Sequence, residues 1–141
     1  MLKKHKFLAG IHIFVSIGAL FGGMAAILNP WEPLGTPLEM LENYPFENFF
    51  IPGLILFLVI GIGHLFSAVT ALKHSIYLGY ISSIFSWSLV IWIVVQCVMI
   101  NSVNFMHIFF LVIGLSGAIL AFQVMSEMEQ FPATLFKKRE S

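Results

Sequence analysis

Polar and apolar positions fall along this chain in long blocks. The segments Phe7 to Leu28, Phe50 to Leu72, Tyr77 to Ile100 and Phe105 to Met125 contain no Asp, Glu, Lys or Arg. Each is longer than the roughly 20 residues needed to cross the hydrocarbon layer of a bilayer. A chain in lipid must satisfy its own backbone hydrogen bonds, so segments of this length are helices. The β-branched run from Val90 to Val95 would read as a strand in water, but the length of its block overrides that preference. The pattern predicts an all-α fold, a four-helix transmembrane bundle in one domain. Its spans lie at about 7–28, 50–72, 77–100 and 105–125, with a loop at 29–49 and a tail at 126–141.

The cations orient this bundle. Lys3, Lys4 and Lys6 precede the first span, Lys73 lies between spans two and three, and Lys137, Lys138 and Arg139 follow the fourth. All seven Lys and Arg residues therefore fall on one side, which the positive-inside rule makes cytoplasmic. The opposite side receives Glu32, Glu39, Glu42 and Glu47. Both ends of the chain are expected in the cytoplasm. A signal peptide would also begin with lysines, but its apolar core is shorter than the first block, which is expected to stay as a span.

The loop at 29–49 has its own punctuation. Asn29-Pro30-Trp31-Glu32-Pro33 ends the first helix, because proline removes a donor and restricts the residue before it. Thr36-Pro37-Leu38-Glu39 then resembles a capping box with proline at the first helical position. A short outer-face helix is expected from Pro37 to about Asn43, ended by Tyr44-Pro45-Phe46. Trp31, Tyr44 and Phe46 suit an aromatic belt at the headgroup level, as an interfacial anchor or as a lid over the bundle.

Composition agrees with the blocks and removes several functions. The chain is 59% hydrophobic and 10% charged, against about 25% charged in soluble domains. Net charge is zero, which disfavours nucleic acid as a partner. Cys97 is the single cysteine and forms no Cys-pair motif. His-Glu-x-x-His, Gly-x-Ser-x-Gly and phosphate-binding glycine loops are missing from the sequence. No carboxylate lies at membrane depth, so a proton-driven exporter of cationic drugs is excluded.

Histidine is the remaining ionisable type within the spans. His12 and His64 fall within about 5 Å of each other in depth at 1.5 Å per residue, so they can face one another across a helix pair. Two imidazoles can ligate a haem, hold a metal or relay a proton. They can equally hydrogen-bond to neighbouring carbonyls or hydroxyls, which is the more economical expectation. Gln96 and His107 share a depth near the outer face. With Trp92 on the helix of Gln96 and Trp31 in the loop, they form a candidate mouth for a lipid head, a quinone or a small amphiphile. Interhelical hydrogen bonding is the structural alternative there. Gly18-x-x-x-Gly22, the Gly63, Ser67 and Ala71 series, and Gly114 with Ala118 are expected to let helix backbones approach. They do not separate packing within the chain from a homo-oligomer or a membrane protein partner.

Gly22-Gly23, Asn29-Pro30, Pro45-Phe46 leading into Ile51-Pro52-Gly53-Leu54, and Trp92-Ile93 followed by Gln96 resemble uncharacterised small bacterial four-span membrane proteins. The resemblance implies a fold and no activity. The leading expectation is a non-enzymatic accessory or lipid- or amphiphile-binding protein of the bacterial cytoplasmic membrane. A haem- or quinone-binding redox component and a small oligomeric channel or transporter are the alternatives.

Overall fold

The computed structural model describes residues 2–33, 46–100 and 103–130. Every long element among them is helical: α1 (Leu2–Leu28), α2 (Phe50–Leu72), α3 (Leu78–Ile100) and α4 (Phe105–Glu127). Each is long and apolar enough to cross a membrane, and the set fits a multi-pass membrane protein. The short helix expected over Pro37 to Asn43, Tyr44, and the tail cations Lys137, Lys138 and Arg139 lie outside the described residues.

Helices α1 and α2 pack along their lengths as one hairpin, and α3 and α4 as another. Contacts of α2 with α3 and of α1 with α4 join the two. At one end of the bundle, here the near end, Lys4 pairs with Glu127 and the His5 and His74 rings lie 5.0 Å apart. His74 has φ 52°, the left-handed conformation that turns the chain from α2 into α3. At the far end, the Phe49 N–H donates to the Pro30 carbonyl at 2.8 Å, so the loop leaves and re-enters the bundle at one place.

Lipid inverts the usual layering. Phe7, Phe14, Ile17, Phe21 and Leu28 of α1 are exposed, while His5, Leu8, His12, Ser16, Ala19, Gly23 and Ala26 are buried. The buried set advances by three or four residues, one face of a helix. Small and polar side chains point inward because a bilayer offers no hydrophobic gain for burying large apolar ones. Close packing and hydrogen bonds hold the bundle instead.

That rotation corrects one expectation. Gly18 is exposed, and a Cβ on Gly22 would meet only the flexible end of the Leu56 side chain, at 3.4 Å. Gly23 is the true point of approach, since a Cβ there would lie 2.8 Å from the Gly53 carbonyl oxygen and 2.8 Å from the Phe57 nitrogen. One residue of difference turns the helix by about 100°, given 3.6 residues per turn. Glycine spacing alone does not reveal which side faces the partner. Gly63, Ser67 and Ala71 of α2 and Gly114 with Ala118 of α4 are buried, as a packing role requires.

Helix α2 is not uniform. Leu56–Ile62 is π-helical, between α-helical turns Phe50–Ile55 and Gly63–Leu72. The wider turns coincide with an inserted side chain: the Ser16 hydroxyl of α1 donates to the Gly61 carbonyl at 2.8 Å. Insertion of this kind is a recognised cause of irregular helix geometry, and π-helical turns are frequent at functional sites.

Candidate functional site

Two polar regions lie inside the apolar shell. The first sits in the near half of the bundle. His12 and His64 are both fully buried, and their Nδ1 atoms are 2.8 Å apart. A contact of that length between two imidazole nitrogens needs one proton between them, so one ring donates and the other accepts. His12 Nε2 lies 2.9 Å from the Ser82 hydroxyl, which reverses its donor or acceptor role to suit the ring. Three helices, α1, α2 and α3, are thereby tied at one depth. His64 Nε2 lies against the Phe85 ring and backbone and makes no hydrogen bond of normal geometry.

This geometry decides what the pair can hold. Two imidazoles on one iron would each bond at about 2 Å, leaving about 4 Å between nitrogens with the porphyrin plane between the rings. Here the nitrogens touch directly, and the ring centroids are 5.0 Å apart at a 45° tilt. The residues do not fit a haem. Among the described residues no group of three His, Cys, Asp or Glu side chains gathers to hold a metal ion. What the pair does chemically is tie three helices through one hydrogen-bond chain, from Ser82 through His12 to His64.

The second region is a cavity of about 410 Å³ in the far half. Helices α1 and α2 contribute apolar walls through Val15, Ala19, Leu56 and Ile60. Helix α3 adds Leu89, Ile93, Trp92 and Gln96, and α4 adds Phe110 and His107, with Asn104 at its start. Exposed Gly18, Asn104 and Met106 also line it, so it opens to the surface between α1 and the start of α4. The polar groups gather on α3 and the start of α4, while the opposite walls are aliphatic.

The start of α4 is built by its own sequence. Asn104 is extended and its side-chain oxygen accepts from the backbone N–H groups of Met106 and His107. In return, the Asn104 N–H donates to His107 Nδ1 at 3.2 Å. This reciprocal box puts an imidazole where glutamate or glutamine usually stands. It also fixes the ring: with Nδ1 accepting, the proton of neutral His107 resides on Nε2. Asn104→Ala is expected to cost about 1 kcal/mol of stability through the lost cap. Thermal unfolding in detergent measures it, and amide exchange at 105–107 should rise with it.

Of the four residues singled out for a ligand mouth, Gln96, Trp92 and His107 line this one cavity. Trp31 does not line it and is 58% exposed, in keeping with a headgroup anchor. Gln96 has no hydrogen-bond partner among the described residues, and neither has the buried Trp92 Nε1. Sequence reasoning missed the roles of Ser16 and Asn104. Only the Asn104-x-x-His107 spacing carried a local signal, and it was hidden because histidine is an unusual third residue of a capping box. No protein-family model matches this chain, and neither does any curated protein or solved structure.

Proposed function

We propose that this protein is a non-enzymatic membrane protein that takes a lipid-soluble amphiphile from the bilayer into the cavity between its helices. The observation that carries the reading is the cavity itself: about 410 Å³, aliphatic along α1 and α2, with its polar groups on α3 and the start of α4, and open to the surface beside exposed Gly18 and Met106. Ligand sites in proteins are mostly apolar with a few placed polar groups and start at about 300 Å³. Gln96 is half-buried in the cavity wall with no hydrogen bond to another described residue, and a bound polar head gives its amide a partner. Membrane lipid is the nearest source of such a molecule. In this reading the near end, with Lys3, Lys4, Lys6 and Lys73, lies at the cytoplasmic face of a bacterial membrane. One copy of the chain supplies every wall, so a homo-oligomer or partner is not needed to complete the site.

The test is native mass spectrometry of the protein released from mild detergent, beside an Ala19→Phe variant. Ala19 lines the cavity and is buried, so phenylalanine there fills it. A bound mass on the parent chain and its loss from the folded variant are expected. An identical bound mass on both would overturn the reading. Reporter fusions at either end of the chain check the orientation.

A further inference from the structure

The cavity has a recognisable donor pattern, and that pattern names a class of ligand. We infer that the corner formed by Gln96 and His107 receives an uncharged carbonyl head, of a ketone, ester or quinone kind, carried on an apolar chain. This rests on the cavity being the ligand site, as proposed above.

Three observations converge. His107 Nδ1 is occupied by the Asn104 N–H at 3.2 Å, which leaves Nε2–H as the ring's free donor. The Gln96 amide brings two further N–H donors and has no protein partner among the described residues. A carbonyl oxygen has two lone pairs and no proton, so it accepts from both side chains and returns nothing that needs satisfying. The third observation is the lining: no Lys, Arg, Asp or Glu contributes to it. A carboxylate, phosphate or ammonium head would leave water or the headgroup layer without gaining a counter-charge, and buried charges are tolerated only when paired. A bare alkane would leave both donors unpaired.

The experiment uses the full chain with Trp31→Phe and Trp87→Phe, both exposed positions, so that emission reports Trp92 in the cavity wall. The micelle is dodecyl maltoside, which contains no carbonyl. Probes are decyl methyl ketone, dodecanoate kept ionised by alkaline buffer, and dodecane. The ketone is expected to saturate the signal with a Kd about tenfold below those of dodecanoate and dodecane, as one or two net hydrogen bonds supply. Gln96→Leu should remove that preference and leave dodecane unchanged. Gln96→Met serves if the leucine variant does not fold.

A diester and a diether phosphatidylcholine distinguish the sources of the carbonyl. Preference for the diester identifies a membrane lipid, and no preference beside a bound ketone identifies a free carbonyl compound. Equal affinity for ketone and dodecane, tightest binding of dodecanoate, or a ketone preference that survives in the Gln96 variants overturns the head assignment and leaves the cavity as an amphiphile site. Failure of every probe to saturate the folded protein removes the cavity reading together with the head assignment.

Discussion

His12→Ala will lower the stability of the folded bundle by about 3 to 5 kcal/mol, from the cavity and the orphaned partner together. Interhelical hydrogen bonds in membrane proteins average only about 0.6 kcal/mol, so the contact energy by itself predicts a small change. Two other effects decide the outcome. His12 is fully buried, and shortening a large buried side chain to alanine leaves a hole that costs about 2 kcal/mol or more. His64 would then have both ring nitrogens without a hydrogen bond in a dry interior, at about 1 to 3 kcal/mol for the newly orphaned group. Ser82 recovers by bonding back to its own helix and adds little. The measurement is reversible unfolding in mixed dodecyl maltoside and dodecyl sulfate micelles, followed by circular dichroism. A double variant, His12→Leu with His64→Leu, should recover most of the loss because neither polar partner is left behind. A cost below about 1 kcal/mol for His12→Ala would show that the two rings do not meet.

Gly23→Leu should be nearly as damaging, at about 3 kcal/mol, the upper range for overpacking. Its first side-chain atom alone would stand 2.7 Å from the Phe57 Cβ, besides approaching the backbone of Gly53 and Phe57. Backbone does not move aside as a flexible side chain does, so α1 and α2 must separate. The separation would also loosen the packing of Ala26 against Gly53. Gly10 is the matched control, because nothing lies within 4 Å of a Cβ built there and the position is exposed. Gly10→Ala should be neutral or stabilising by up to about 1 kcal/mol, the helix propensity difference. Gly18→Ala should resemble Gly10→Ala, since its nearest neighbour is Phe110 at 3.7 Å. Equal costs at Gly18 and Gly23 in the same unfolding series would show that α1 is rotated away from the arrangement described.

The two regions were legible to different degrees. His12 and His64 could be matched in depth from residue counts, because the rise per residue is fixed and both spans are anchored by lysines at one end. That Nδ1 would face Nδ1, excluding a haem, depends on rotation and rotamer. Gln96, Trp92 and His107 could be placed at a common level for the same reason. The empty volume between them could not, because a cavity is what four helix surfaces leave unfilled. Trp31, three residues past the end of α1, is exposed and does not line the cavity.

The division follows from how lipid acts on a chain. Block length and the absence of charge determined by themselves that there are four spans, that they are helical, and where they begin and end within a few residues. Those properties answer to the thickness of the hydrocarbon and to the cost of an unpaired backbone group, which depend on sequence one segment at a time. The rotation of each helix is a different kind of quantity. In water an amphipathic stripe would announce it, but here the spans are apolar on all sides and bulky residues face outward without penalty. The inward faces were therefore chosen only when Gly23 met Gly53, Ser16 met Gly61 and His12 met His64. Tertiary structure alone selected Gly23 over Gly18, and it alone brought the histidine pair into contact and left the far-half cavity between the helices.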